Sequence, residues 1–512
     1  MTTQSRRTFL TTAALAAAAA RLHAQRGSKA QATLVLRGAA EGAQMPTDFV
    51  GLSYEVQQLT DPSFFSPANT GMVRAFRELS THGVLRLGGN TSEFGYWKAS
   101  PDAPEPRHPE IRTVAGEPKP QFYPITPEAI RNLAGFLKAT GWSCLYGIGM
   151  GTNTPERAAD EAEYVARALG ASLQYFQIGN EVDMFDRHLR DPKTWSSKVY
   201  LEEWLAMARA VQARVPGARF GLPDVAANVG WLPQIADLWP AVENPPHVTT
   251  LTHHYYFGGP ATNPAVNIPN LLKPETMQKV QHTADIATAA AEKMGVRVRM
   301  TEGNTCYRGG KPGLSDVFAS ALWSANYSLL LAANNYSGVN LHGGTGKSVA
   351  NSVGGFLPGD VLLKEQGATD AEIASHPHPF YTPIATFGTE YKLQPVAYGL
   401  KFAGLFSGAT LLKTDLNAAL QASGVDATGF AARMRNGKLS VIVLNKDADR
   451  DVTVTIDFGE EKSAAATVEK LSSDALSSRE ARIAMETKPV EVKGGRTIVT
   501  VARSSGMRIT LA

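Results

Sequence analysis

The chain has 512 residues, 43% of them hydrophobic and 19% charged, the make-up of an ordinary globular protein and more than one core's worth of length. The formal net charge is +3, but the first 24 residues hold Arg6, Arg7 and Arg21 and no acid, so the rest carries 47 basic against 47 acidic residues; that neutrality argues against nucleic acid or an anionic membrane as partner. Two cysteines, Cys144 and Cys306, exclude a disulfide scaffold.

In chain order, residues 1–24 read as a processing segment. Ser5-Arg6-Arg7-Thr8-Phe9-Leu10 followed by an Ala-rich stretch looks like a twin-arginine export signal, with cleavage near Ala24. The apolar part is too short to span a bilayer, so a periplasmic or secreted, monomeric product is expected. Gln31 to Arg37 reads as a strand that joins the edge of a C-terminal β-domain.

From residue 45 to 400 short apolar runs alternate with helical patterns. Eight strands are expected: Phe49–Ser53, Gly83–Leu87, Ser143–Ile148, Leu173–Ile178, Arg219–Leu222, Val248–Thr252, Val296–Met300 and Gly338–Leu341. Helices are expected over Pro127–Thr140, Glu156–Leu169, Leu201–Val215, Met277–Met294 and Val317–Ala333. Strand–helix alternation repeated eight times predicts a (β/α)₈ TIM barrel. Two long irregular stretches, Thr91–Thr126 and Gly258–Pro274, follow even-numbered strands and should rise over the mouth of the barrel, and a third irregular stretch runs from His342 to Thr382. Residues 401–512 change to alternating segments parted by turns such as Asn436-Gly437 and Gly494-Gly495, the pattern of an antiparallel β-sandwich. It shows no cluster of exposed aromatic residues and is expected to brace the barrel.

Side chains at the carboxyl ends of barrel strands converge on the site. Strand four leads into Gln177-Ile178-Gly179-Asn180-Glu181 and strand seven into Val298-Arg299-Met300-Thr301-Glu302, across the mouth from each other. Alone, each glutamate reads as a salt-bridge partner. Together they are the acids that glycosidic hydrolysis needs, one to protonate the leaving oxygen and one to attack the anomeric carbon; a retaining enzyme holds them about 5–5.5 Å apart. Such closeness drives the two proton affinities apart. Asn180 can donate to a sugar 2-hydroxyl. Strand six runs into His253-His254-Tyr255-Tyr256. Alternation lets one of the two histidines face the site, and His254, supported by Tyr255 and Tyr256, is expected to hold Glu302 ionised. Cys306 has no paired base, so a thiol nucleophile is not expected. No His/Asp/Cys set with ligand spacing appears, so neither metal nor cofactor is expected.

The stretches Phe49-Val50-Gly51-Leu52-Ser53-Tyr54-Glu55, Leu85-Arg86-Leu87-Gly88-Gly89-Asn90, Gln177-Ile178-Gly179-Asn180-Glu181 and Thr301-Glu302-Gly303-Asn304 resemble glycoside hydrolase family 79, the β-glucuronidase and heparanase family of the large retaining barrel clan. The likeness covers roughly Val35 to the C-terminus. It implies Glu181 as acid/base, Glu302 as nucleophile, Glu55 and Asn90 as hydroxyl-binding residues on the pocket floor, and Tyr307 as a contact to a uronic acid. The family also reads the uronate carboxylate with backbone amides and a tyrosine in a glycine-rich loop after strand eight. Here the loop is His342-Gly343-Gly344-Thr345-Gly346-Lys347, without that tyrosine, so the amides of Gly344 and Gly346 and the charge of Lys347 are expected to serve. The implied activity is that of a retaining exo-β-glucuronidase acting on terminal β-linked glucuronic acid. The alternatives are a retaining β-glycosidase of the clan acting on xylose, glucose or arabinose, a heparanase-like endo-β-glucuronidase, and a non-catalytic carbohydrate-binding protein.

Overall fold

The computed structural model describes residues 30–112, 120–459 and 463–512; the export signal expected over residues 1–24 lies outside them. Eight parallel strands close a barrel in chain order: β1 (Val50–Glu55), β2 (Val84–Gly88), β3 (Ser143–Ile148), β4 (Leu173–Ile178), β5 (Phe220–Val225), β6 (Val248–Gly258), β7 (Arg297–Cys306) and β8 (Tyr336–His342). Helices cover the outside, so both faces of each strand are buried and the strands read as apolar runs. The expected TIM barrel is therefore present, and so is a second domain built mainly of antiparallel strands.

Strand ends at the mouth run further than apolar runs suggest. β6 extends past Thr252 to Gly258 and β7 past Met300 to Cys306. Their outer halves carry His, Tyr, Glu, Asn and Thr, which break hydrophobic periodicity while the backbone keeps pairing, His254 with Glu302 and Tyr256 with Asn304. Several described helices lie beyond the expected set, among them one after β1 and one after β5. Thr70–Leu79 buries Met72, Ala75, Phe76 and Leu79, and Trp231–Leu238 buries Trp231, Leu232, Ile235 and Ala236. Both carry the helical spacing of apolar residues, one face each. The stretch after β2 holds a short strand, Gly95–Trp97, paired with Tyr123–Ile125.

Two sheets follow the barrel. The larger one includes Thr410–Lys413, Ala427–Arg433, Leu439–Asn445, Ala465–Ser472 and Ser505–Leu511. The smaller consists of Ala30–Val35, Val452–Asp457 and Arg496–Val501. Leu34, Val454 and Ile456 of the smaller sheet pack on Val441, Val443 and Ile509 of the larger. The opposite face of the larger sheet packs Ile442 and Leu444 into the barrel core alongside Phe402 and Phe406. Leu439–Asn445 is accordingly buried along its whole length. Ala30–Val35 pairs parallel, not antiparallel, with Val452–Asp457. Among the described residues no helix is long and apolar enough to cross a membrane.

Candidate active site

After β4 the chain passes Gly179 at φ 88° and Asn180, and Glu181 takes a left-handed conformation at φ 51°, ψ 45°. A non-glycine residue pays roughly 1–2 kcal/mol for this, and it persists where surrounding bonds over-determine it. Here the Asn180 N–H donates to Glu93 Oε1 at 2.8 Å and the Glu181 N–H to the carbonyl of Asp224 at 2.9 Å. On the other side, the register between β6 and β7 slips at Thr301, so that His253 pairs with Met300 but His254 with Glu302. The irregularity lets adjacent residues, Thr301 and Glu302, both serve the mouth.

A carboxylate oxygen of Glu181, one of Glu302 and a ring nitrogen of His254 lie within 4.8 Å of one another. His254 Nδ1 stands 3.2 Å from Glu181 Oε1 and 4.0 Å from Glu302 Oε1, and its Nε2 3.2 Å from Asp224 Oδ2. Arg86, wholly buried on β2, donates from Nη1 to Glu302 Oε2 at 2.6 Å and from Nη2 to Asn180 Oδ1 at 2.7 Å and to Asp224. The Tyr256 hydroxyl donates to Glu302 Oε1 at 2.9 Å. His342 bridges Glu302 Oε2 (3.7 Å) and Glu55 Oε1 (3.3 Å). Asp224 also accepts from Gln177 Nε2 at 2.7 Å and from the Thr301 hydroxyl. The Gly88-Gly89 pair is needed here: a Cβ on Gly88 would strike the Arg86 guanidinium, and one on Gly89, at φ 77°, the Glu55 carboxylate.

These surroundings separate the two glutamates. Burial alone would raise the Glu302 carboxyl, but His342, His254 and Arg86 and the Tyr256 hydroxyl outweigh it and bring it down to about 2. Burial raises the Glu181 carboxyl, and the hydrogen bond and charge of His254 offset this only in part. His254 is pulled down by burial but held up at about 10 by Asp224 and Glu302, so it is an imidazolium between carboxylates. The pair thus offers one fixed anion and one group able to hold a proton, on one cavity mouth.

The other expected residues fall as follows. His254, not His253, faces the carboxylates; His253 turns to the Tyr336 hydroxyl at 2.9 Å, and burial lowers it to about 4. Tyr255 is a correction. Its ring stacks on Tyr327 of the outer helix Phe318–Ala333, centroids 5.1 Å apart, because alternation sends it out of the barrel while His254 and Tyr256 point in. Glu55 is buried, with Oε2 taken by the N–H and hydroxyl of Thr91. Asn90 accepts from Asn180 Nδ2 at 2.9 Å. Tyr307, 40% exposed, sets its ring edge-on to Tyr256 at the rim. The expectation of a free amide at Gly344 is corrected: that N–H is buried and directed to the Thr382 hydroxyl at 3.4 Å, since the loop folds back on the segment before residue 384. Gly346 opens a short helix, Gly346–Ser352, and faces His378, and Lys347 is exposed on its first turn. Cys144 and Cys306 are both free and buried, and burial pushes the Cys306 thiol up to about 12, too high for a thiolate nucleophile.

Five residues of the site carry no role in the reading from sequence: Arg86, Asp224, His342, Tyr381 and Glu93. An arginine inside the apolar strand Val84-Leu85-Arg86-Leu87 was the available signal for the first, since a barrel interior admits a cation only against buried anions. Asp224 hides behind Pro223, where the apolar run stops. Tyr381 reaches the site from far along the chain, its segment tied to the end of β8 by Asn304, which donates to the carbonyls of His342 and Tyr381 at 2.9 Å. Its ring packs 6.2 Å from Tyr256 and 5.8 Å from His342. Glu93 clamps three backbone N–H groups, of Met150, Gly151 and Asn180.

Glu181, His254 and Glu302 also have the spacing of a metal-ligand set. The electrostatics oppose that use. A ligating histidine must be neutral, whereas His254 is held protonated by Asp224 and Glu302, and Arg86 already pairs with Glu302.

No family model matches the chain. It is 24% identical over 280 residues to a beta-glucuronidase of Aspergillus niger, covering 51% of each chain, and 25% identical over 289 residues to a beta-glucuronidase of Neurospora crassa, covering 52% of this chain and 50% of that one. The chain thus spans about half the length of the curated relatives it matches. Among solved structures, a 4-O-alpha-L-rhamnosyl-beta-D-glucuronidase of Fusarium oxysporum superposes with a TM-score of 0.69 at 17% identity, over 94% of this chain and 100% of that one. A GH51 arabinofuranosidase of Xanthomonas axonopodis pv. citri follows at a TM-score of 0.64 and 14% identity, over 94% and 100%. At such identities these structures establish the shared fold, a TIM barrel with an added antiparallel sheet domain.

Proposed function

We propose that the protein is a retaining glycoside hydrolase, an exo-β-glucuronidase that releases terminal β-linked glucuronic acid. The observation that carries this is the pair of carboxylates within 4.8 Å, one held ionised and one raised. That spacing suits a retaining displacement and leaves no room for the water an inverting enzyme places between its acids. Glu302 attacks the anomeric carbon while Glu181 protonates the departing oxygen, giving a glycosyl ester on Glu302. Glu181, now a base, takes a proton from water, which attacks the same carbon and frees Glu302. Arg86, His254 and Tyr256 keep the nucleophile charged and aimed, and Asn180, fixed by Arg86 and Asn90, presents its amide toward the 2-hydroxyl.

The glucuronide assignment draws on the two beta-glucuronidase relatives and on the tyrosines Tyr256, Tyr307 and Tyr381 grouped beside Glu302. One observation favours a second reading, a β-glycosidase acting on a neutral sugar. The inner basic side chains Arg86, His254 and His342 already face protein carboxylates, and Lys347 is exposed. Turnover of chromogenic β-glucuronide, β-xyloside, β-glucoside and arabinofuranoside decides between them. Hydrolysis of the glucuronide with the β-anomer released first is expected; release of the α-anomer would sink the retaining mechanism, and turnover confined to neutral sugars the substrate assignment. Residues 1–24 fit export by the twin-arginine route to the periplasm or beyond, and the product is proposed to act as a monomer.

A further inference from the structure

Away from the barrel mouth, a cleft of about 320 Å³ lies where the outer helices Pro274–Met294 and Phe318–Ala333 meet the sandwich. Its size is at the lower end for small-molecule sites, ~300–1,000 Å³. Side-chain amides come to it from three helices: Gln281 from the first, Asn326 from the second, Asn417 and Gln421 from Leu416–Ala422. Several are fixed in place. Gln281 exchanges hydrogen bonds with Asn334 at 2.7 and 3.0 Å, Asn417 accepts from the Gly429 N–H at 2.8 Å, and Asn326 accepts from the Thr428 hydroxyl at 2.9 Å.

The Asn326 amide nitrogen is the second, independent sign. The residue is 2% exposed and lines the cleft, yet its Nδ2 has no hydrogen-bond partner. Buried polar groups in that state are rare and call for an explanation. The charges present cancel: Lys446 Nζ is 2.6 Å from Asp426 Oδ1, so the cleft has no spare ion to select an ionic ligand. Met277, Leu330 and Val425 supply an apolar wall.

We propose that this cleft is a second, non-catalytic sugar-binding site that takes an uncharged pyranose residue. A pyranose shows an apolar C–H face and a girdle of hydroxyls, each able to donate and accept, which matches an apolar wall opposite pre-oriented amides. The unpartnered Asn326 donor, buried in the cleft wall, gains a hydroxyl oxygen once its amide turns toward the cleft. Such a site would hold a glycan chain on the outer wall of the barrel while a chain end is processed at the mouth.

The test is calorimetric titration of the full chain with cellobiose, with Asn326→Leu and Gln421→Trp alongside; the second change sits on the exposed rim, fills the cleft, and decides alone if the first variant does not fold. Wild-type binding that weakens about tenfold or more in the variants, the scale of one or two lost hydrogen bonds, with aryl-glycoside kcat/KM unchanged, is the expected result. Unchanged affinity in the folded variants, which would place the sugar elsewhere, or no binding to the wild-type chain, overturns the site. The titration needs no turnover, so a failure here and a failure of the catalytic reading are told apart.

Discussion

The barrel mouth and the interior of the sandwich are equally buried and are built from opposite materials. Around Glu302 the mouth packs Arg86, Asp224, His254 and His342, with side chains from 0 to 7% exposed. The sandwich interior packs Leu34, Val454, Ile456, Val441 and Ile509, and its buried ionisable residues Lys446 and Asp457 sit at the ends of strands. Hydrocarbon burial is favourable wherever it occurs and is insensitive to direction. Buried charges are tolerated only when each faces its opposite at bonding distance. The sandwich is therefore a source of stability, whereas the mouth spends stability to fix proton positions.

The largest way to break that contrast is to remove the proposed reacting groups without touching their packing. Glu302→Gln should lower kcat by roughly 10⁴-fold or more, as loss of a nucleophile does. Glu181→Gln should cost about 10²–10⁴-fold, the range of general acid–base catalysis, and less on aryl glycosides whose leaving group needs little protonation. Steady-state kinetics on aryl and alkyl glycosides measure both. Near-wild-type rates in either variant would remove that residue from the chemistry. In the wild type, activity should fall as pH rises through the raised Glu181 carboxyl, since the donor must be protonated.

Next in size is the ion network. Arg86→Leu leaves Glu302 and Asp224 as buried anions short of a cation, at a cost of about 3–5 kcal/mol. The sign of its pH effect is fixed. Glu302 is held down at about 2 against an ordinary 4.5, so its share of stability is complete above the ordinary value and is lost as pH falls toward 2. Without Arg86 the carboxyl rises. The acid limb of kcat/KM and the onset of acid unfolding should both move to higher pH. A pH–rate profile that does not move would show Arg86 to be structural only.

The sandwich should respond in the opposite way. Ile456→Ala, wholly buried between the sheets, should cost about 2–5 kcal/mol in denaturant unfolding, while the activity per folded molecule and its pH profile stay as they were. A shifted pH profile in this variant would mean that the two regions are coupled.

The same contrast governs what could be read from the chain alone. Sandwich strands such as Arg496–Val501 alternate between exposed and buried residues, and β3 and β4 stand out as apolar runs flanked by helices. That Glu181 and Glu302 meet at the mouth was legible because strand ends in a barrel have a common destination. Arg86, Asp224 and His342 were not, because each makes sense only beside residues far away in sequence: Arg86 donates to a residue 216 positions on. Tyr255 differs from these: alternation from His254 to Tyr256 already turns it outward, and only the bulge at Thr301 in the neighbouring strand leaves no mark in composition.

The smallest effect tests the most legible signal. Thr126 precedes Pro127 and caps the helix Pro127–Thr140, its hydroxyl accepting from the Ala129 N–H at 3.4 Å. Thr and Pro in that order announce a helix start, and the helix lies where the spacing of Ile130, Leu133, Phe136 and Leu137 also leads it to be expected. Thr126→Ala removes one acceptor at a partly solvated helix end, where water replaces much of what is lost. The cost should be about 1 kcal/mol, seen as a lower denaturation midpoint at unchanged m-value, with kcat and its pH dependence intact. A loss well above that would show the hydroxyl to hold more than its helix. A loss near the expected size separates the two kinds of information in the chain: signals that place elements are local and energetically small, whereas the residues that fix the chemistry are distant in sequence and costly to remove.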